Sequence, residues 1–298
     1  MRAPSQVETS IVIVSKDEPL LADTLQALRP LIDTSRHEVI VIDASRKALA
    51  HIQQEHPWVR WFDFEQPDNA RVTIAHQRNL GVASAQGEII VFIDCGCLPE
   101  DGWLKRLIQP IADEGEAITC GPAVSHEPSV YSGDKWWGNS VERYVTMAAT
   151  INMAFLRSAF DAVGGFDESF AAAEDLDFSW RLTDKGYRLR WVHDAVVTHE
   201  WGSAKRQLRR SLFYGRGWSR LLKKHPHRIG FILREDPVPI IYALFVLGLP
   251  LTVRWRYYPL LLLLPIWRQR NEELPALVLL DHLVVGAGVL DGIVRPRR

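Results

Sequence analysis

The chain has 298 residues, 47% of them hydrophobic, a formal net charge of −1 and three cysteines. That length supports one large domain with an appendage and excludes a small stapled fold. The near-zero charge excludes a globally basic nucleic-acid binder and a disordered acidic tail protein. Cys95, Cys97 and Cys120 cannot all pair and sit in or beside apolar runs, so reduced thiols in a cytosolic compartment are expected. The polar first ten residues carry no apolar stretch of signal-peptide type, so no secretion is expected.

Four apolar runs punctuate the first half: Ile11 to Val14, Val39 to Ile42, Ile89 to Ile93 and Ala117 to Cys120. Continuous β-branched runs, unlike alternating ones, suit strands buried on both faces of a parallel sheet. Helical spacing falls between them, first through Leu20, Leu21, Thr24, Leu25, Leu28 and Leu31, with Pro30 near the end. A second helix is expected from Ala70 to Ala85, closing before Gly87. Strands alternating with helices give a doubly wound α/β fold. In such sheets ligands sit beyond the carboxyl ends of the strands. Ser15 with Asp17, then Asp43, then Asp94 should gather along that edge. Any one of them is explained as a turn former or helix cap; three successive strands ending alike favour a site.

The most specific stretch is Gly164-Gly165-Phe166-Asp167-Glu168, then Glu174-Asp175-Leu176-Asp177-Phe178-Ser179-Trp180-Arg181-Leu182, then Gly186-Tyr187-Arg188-Leu189. It reads as a glycine turn, a loop of small residues and a helix that opens on acids and stops at Gly186. The helix dipole favours acids in the first turn and is expected to keep them ionised. A carboxylate there can accept a proton from an attacking hydroxyl; plain N-capping explains the same acids.

The tail changes character. Residues 203–228 hold nine Lys and Arg and no acid, with Leu208, Leu212, Gly215 and Leu222 on one helical stripe. Residues 237–253 and 257–267 are uncharged, and 275–290 is broken only by Asp281 and His282. These runs fall short of the ~20 apolar residues of a spanning helix. A solvated basic face, nucleic-acid binding and docking on an anionic membrane all fit the basic helix, and the apolar runs favour the membrane. An interfacial or re-entrant appendage is expected, with a helical bundle packed on the first domain as the alternative.

Over residues 10–202 the chain resembles the family 2 glycosyltransferases, an inverting class with the GT-A fold. Ser10 to Pro19 is similar to the family's opening strand and donor-base loop, and Val41-Ile42-Asp43-Ala44-Ser45 to its second strand. Arg78-Asn79-Leu80-Gly81 and Ala85 to Glu88 resemble the Arg-Asn helix and the lead into the third strand. Asp94-Cys95-Gly96-Cys97-Leu98-Pro99 lies where the family carries Asp-x-Asp. Asn152 to Phe155 precedes the glycine turn as in many members, and Thr198-His199-Glu200 lies where members place a diphosphate- or metal-binding His. The resemblance implies a GT-A type doubly wound mixed sheet over 1–202; the tail's own residues make 203–298 the helical, membrane-associated appendage. It implies a nucleotide-sugar donor, with Ser15, Asp17, Asp43, Arg78 and Asp94 lining its site. Asp175 would be the general base and Glu174 its orienting partner, for a single inverting displacement. Asp94 and His199 would serve a divalent cation, magnesium or manganese, but Gly96 stands where the family's second Asp usually binds it. A Cys-x-Cys zinc site is the weaker reading of Cys95 and Cys97, which are expected to be buried or rim thiols.

A glycan or lipid-linked acceptor of the cell envelope, met at the cytoplasmic face of the membrane, fits the appendage; no nucleic-acid partner is expected. Trp136, Trp137 and Tyr144, near Asp134 and Lys135, suit either the acceptor or the domain's own edge. Two other functions stay open. One is a nucleotide-sugar-forming nucleotidyltransferase, although Ser15 to Pro19 lacks the glycine-rich loop such enzymes carry. The other is a non-catalytic scaffold of the same fold, against which the Glu174-Asp175 pair argues.

Overall fold

The computed structural model describes residues 7–65, 73–125, 127, 143–268 and 274–295. The described residues fall into two compact units, one reaching to Glu200 without Glu127, the other taking Glu127 and everything from Trp201 on. In the first unit β1 (Thr9–Ser15), α1 (Leu21–Leu28), β2 (His37–Asp43), α2 (Ala50–Glu55), β3 (Arg60–Asp63), α3 (Ile74–Ser84) and β4 (Ile89–Ile93) alternate strictly. Then come β5 (Cys97–Pro99), α4 (Trp103–Asp113), β6 (Ile118–Cys120), β7 (Ala123–Val124), β8 (Tyr144–Val145), β9 (Asn152–Leu156), α5 (Arg157–Val163), α6 (Glu174–Asp184), β10 (Leu189–Trp191) and β11 (Val197–His199).

Eight strands form one sheet in the order β3-β2-β1-β4-β9-β6-β10-β8, and β5-β11-β7 form a smaller one. The β-branched runs became strands because both faces are covered: Ile11, Val12 and Ile13 are fully buried, as are Ile40, Val41 and Ile42. β1 through β4 pair parallel, as expected of the first three apolar runs, whereas the fourth run does not join them directly. β9 lies between β4 and β6 and runs antiparallel to both, so the sheet is mixed. Of the expected helix over 70–85, the described part runs from Ile74 to Ser84, capped by Thr73 and His76; residues 70–72 lie outside the described residues.

Asn152, at the start of β9, ties the large sheet to the segments that leave β6 and β10. Its Oδ1 accepts from Trp103 Nε1 at 2.9 Å, and its Nδ2 donates to the carbonyls of Pro122 and Ala195 at 2.9 and 2.7 Å. All three contacts are buried, and two of them fix the segments that enter β7 and β11.

In the second unit α7 (Ala204–Lys224) carries the basic run, followed by α8 (Ile229–Glu235), α9 (Val238–Leu247), two 3₁₀ stretches, α10 (Leu263–Arg268) and α11 (Pro275–Val294). The buried stripe of α7 is Gln207, Ser211, Gly215, Trp218 and Leu221, while Leu208, Leu212 and Leu222 flank it half-buried. The reason is backbone approach. A Cβ on Gly215 would come within 2.3 Å of the Val285 carbonyl oxygen and 2.9 Å of Gly288 Cα, so small residues occupy the crossing with α11. Ser211 donates to the buried Asp281, and Arg216 Nε donates to Asp291 Oδ2 at 2.6 Å. Asp281 therefore does not interrupt α11. At 20 residues and a mean hydropathy of 1.9, α11 is long and apolar enough to cross a membrane by length and composition, contrary to the expectation that every apolar run falls short.

Replacing Asn152 by Leu leaves one indole N–H and two carbonyls without their partner, each worth about 1–3 kcal/mol when buried. Urea unfolding followed by tryptophan fluorescence should show a loss of about 3 kcal/mol or more for this variant.

Candidate functional site

Parallel register sets the first half of the site. Ser15 pairs with Asp43 at the ends of β1 and β2, and Asp43 with Asp63 at the end of β3. Gln77, buried on α3, donates through Nε2 to the carbonyls of Ser15 and Ile42 at 3.1 and 3.3 Å and so straps the two strand ends together. Asp43 is itself buried. Burial pushes its proton affinity up, two hydrogen bonds from Ser45 oppose this, and the charges of Asp63 and Asp17 add to it. The Ser45 hydroxyl donates to Asp43 Oδ1 at 2.5 Å and accepts from the Asp17 backbone N–H at 2.6 Å. This one hydroxyl links the β1–α1 loop to the end of β2 and helps hold Asp17 in the left-handed region, at φ 54°. The carboxylate of Asp17 remains exposed. Ser45 and Gln77 were not singled out in the sequence; the Asp-Ala-Ser spacing of an Asx turn was the available signal for Ser45.

The second half is built around α3 and α6. Asn79 on α3 grips the glycine turn: its Oδ1 accepts from the Phe166 N–H at 2.9 Å, and its Nδ2 donates to the Phe166 carbonyl and to Glu168 Oε1, each at 2.9 Å. Gly165 (φ 74°) has no room for a side chain here, because a Cβ would meet Phe160 Cζ at 2.7 Å and Asn79 Oδ1 at 3.0 Å. Beyond the turn α6 opens on its three acids. Its end is a left-handed glycine cap in which the Tyr187 N–H reaches the Leu182 carbonyl and the Gly186 N–H the Thr183 carbonyl. The three acids have separate fates. Asp177 is buried and pairs with Arg181 at 2.8 Å. Glu174 is buried in an ion pair with Arg78 Nη1. Asp175 is half-buried and accepts from the Leu176 N–H at 2.9 Å.

Arg78, expected in the nucleotide pocket, is 3% exposed and turned towards carboxylates. Nη1 meets Glu174, and Nη2 lies 3.5 Å from Asp94 Oδ1, on the residue that follows β4. Its guanidinium sits over the rings of Phe92 and Phe166, at 5.9 and 5.8 Å. Those rings belong to an aromatic cluster with Phe155, Phe160 and Phe178 beneath the site. The expectation that the helix dipole keeps all the α6 acids ionised does not hold for Asp175. Burial and the Glu174 charge outweigh Arg78 and push its pKa up to about 7.

His199 ends β11 opposite Cys97, which places it beside Gly96. A Cβ on Gly96 would lie 3.6 Å from His199 Cε1, so an imidazole faces the position where the family usually has a carboxylate. By type, a carboxylate at Asp94 and an imidazole at His199 are donors that magnesium or manganese accepts, a smaller set than one with a second carboxylate at position 96. Zinc on the cysteines does not fit: burial raises the proton affinity of Cys95 and Cys97, and the Cys95 thiol donates to the Val14 carbonyl at 3.2 Å. All three cysteines are free thiols. Tyr144 serves the domain's own edge, donating to Glu116 at 2.7 Å with Arg188 3.7 Å above its ring. Asp134, Lys135, Trp136 and Trp137 lie outside the described residues.

A mannosyltransferase from Pyrobaculum calidifontis, solved in complex with GDP-Man and Mn2+, superposes with a TM-score of 0.66 over 98% of this chain and 89% of its own, at 17% identity. The fold is accordingly of the GT-A type. The pre-mycofactocin glycosyltransferase of Mycobacterium tuberculosis is 28% identical over 191 residues, 58% of this chain and 40% of its own. The succinoglycan biosynthesis protein ExoA of Rhizobium meliloti is 27% identical over 224 residues, 67% of this chain and 66% of its own. The chain thus spans about two fifths of the first relative and about two thirds of the second. The sequence pattern of glycosyl transferase family group 2 matches residues 127–289. With the pattern of glycosyl transferase family 2 matched over residues 10–165, more than half its length, the chain belongs to that family.

Proposed function

We propose that the protein transfers a sugar from a nucleotide-sugar to an acceptor hydroxyl by one inverting displacement. The observation that carries this reading is the placement of Asp175. It is a half-buried carboxylate of raised proton affinity, next in sequence to Glu174, and Arg78 pairs with both Glu174 and Asp94 at the strand edge where ligands of such sheets bind. Ser15, Asp17 and Asp43 line the nucleoside end, with Ser45 and Gln77 holding them in place. Asp175 takes the acceptor's proton as the acceptor oxygen bonds to the anomeric carbon. The bond from that carbon to the diphosphate breaks, and its electron pair leaves with the nucleoside diphosphate. Glu174, fixed by Arg78, keeps the first turn of α6 in place. Asp94 and His199 are the residues that would hold magnesium or manganese, which when bound would neutralise charge on the leaving diphosphate. A solved mannosyltransferase of the same fold holds GDP-Man and Mn2+, which supports a nucleotide-sugar donor and a divalent cation here.

The tail supports a membrane-borne acceptor at the cytoplasmic face, with residues 1–202 as the catalytic domain and 203–298 as the attachment. Among the described residues, large exposed apolar side chains other than Leu20 and Leu98 all fall from Phe213 onward. They include Leu244, Leu247, Leu251, Val253, Trp255, Leu260, Leu263 and Trp267. A basic helix in the same unit as such a surface fits an anionic leaflet, each Lys or Arg adding about 1 kcal/mol at the surface.

Turnover of a panel of GDP- and UDP-sugars tests the reading directly. Asp175→Asn keeps the shape and removes the base, and should cut turnover by roughly 10²-fold or more. Because the Asp175 pKa is raised, its basic form is present above about pH 7 and lost as pH falls through it. The acid limb of kcat/KM should lie near there and vanish in the variant. Near-normal turnover by the Asn variant refutes the role of Asp175.

Flotation with anionic liposomes tests the attachment. Full-length protein should float at low and high salt, since apolar burial is not screened, and removal of residues 236–298 should leave binding that salt reverses. A full-length protein that stays free of liposomes without detergent refutes membrane attachment and leaves the catalytic reading intact.

A further inference from the structure

We propose that Arg78 is a positioning residue for the transfer step. From α3 it fixes the first turn of α6 through Glu174 and sets how readily Asp175 can serve as base. This deepens, and rests on, the reading of Asp175 as the proton acceptor.

The geometry is that of a buried hub. Arg78 is 3% exposed, and its two terminal nitrogens are committed to carboxylates on different elements, Glu174 of α6 and Asp94 after β4. Phe92 and Phe166 lie on the guanidinium, so water is excluded from that side. A residue so enclosed has little surface left for a substrate. Its fork instead fixes two carboxylates with respect to each other, which a point-charge ammonium does less well. Asn79, the next residue, grips the turn that leads to α6. The same short stretch of α3 thus holds both the approach to α6 and its first acid.

The charged groups acting on Asp175 come from three elements: Glu174 on α6, Arg78 on α3 and Asp94 beyond β4. The two acids disfavour its ionised form and Arg78 favours it. Among these described side chains Arg78 is the cation, and it works in surroundings that burial makes poorly screening. Without it three carboxylates would face one another, and Asp175 would hold its proton to higher pH. The sign is fixed: loss of Arg78 moves the basic form of Asp175 upward in pH, so activity falls most on the acid side.

The test titrates Asp175 without needing turnover. Protein labelled with 13C at the aspartate carboxyls is followed by NMR against pH, with Asp175→Asn identifying the resonance. In Arg78→Gln the midpoint of Asp175 should rise by about one pH unit or more. In Arg78→Lys, which keeps the charge but cannot span both partners, it should rise less. Arg78→Gln leaves Glu174 buried without its partner and is the variant more prone to misfold; Arg78→Lys then carries the test alone. The acid limb of kcat/KM should move with the NMR midpoint, a roughly tenfold loss per unit below the limb, with a much smaller change at high pH. An unchanged Asp175 midpoint in the folded variants overturns the proposal and leaves Arg78 a structural ion pair. A midpoint that moves while the rate profile does not supports the electrostatic role of Arg78 and instead refutes Asp175 as the base.

Discussion

The site rests on a buried cation. A guanidinium enclosed by two phenyl rings and two carboxylates exists only if its desolvation is offset locally, and Arg78 meets that condition through Glu174 and Asp94. The pair makes the rest of the arrangement rigid by necessity. Moving α6 away from α3 would strand a charge in an apolar pocket, at a cost several times that of losing an ordinary contact. The surrounding sequence is constrained accordingly: aromatic residues beneath the fork, a glycine turn that Asn79 can grip, and a strand end that delivers Asp94.

That constraint explains why three acids at one helix start behave differently. Placement near a helix N-terminus is a weak effect of a few tenths to about 1 kcal/mol. Asp177 points into the core and takes Arg181 as its partner, and Glu174 takes Arg78. Asp175 is left with a backbone N–H and the fields of its neighbours, and burial then dominates. One short helix thus carries two acids held in arginine ion pairs and, between them, a third whose affinity for protons is raised, which is what the proposed base role of Asp175 draws on.

Much of this was legible in the chain before the structure. The β-branched runs gave β1, β2 and β4 because double burial demands them, and Gly186 marked the end of α6 because a left-handed cap favours glycine. β9 escaped because Asn-Met-Ala-Phe-Leu is not β-branched; its strand character comes from two antiparallel neighbours that only the tertiary fold supplies. The strand-end residues Ser15, Asp43 and Asp94 could be read from position alone. The destination of Arg78 could not, since its partner Glu174 is 96 residues away and nothing local distinguishes an arginine facing a phosphate from one facing a carboxylate. Ser45 was hidden for a similar reason: its hydroxyl gains meaning from the Asp17 N–H, 28 residues earlier.

The helical unit obeys a different logic. Of the stripe Leu208, Leu212, Gly215 and Leu222, Gly215 lies at the crossing with α11, where it and Ser211 meet Asp281, Val285 and Gly288. Helices that meet through small residues gain from close van der Waals contact and interhelical hydrogen bonds, neither of which needs water as the competing solvent. The leucines stay half-buried beside the crossing, whereas many apolar side chains of residues 241–267 are exposed. In water such a surface is a liability; against acyl chains it is neutral, and the Arg and Trp residues at 254–256 suit the boundary between the two. A crossing made by small residues, in a unit whose residues 241–267 expose apolar side chains, is what supports the proposed membrane attachment.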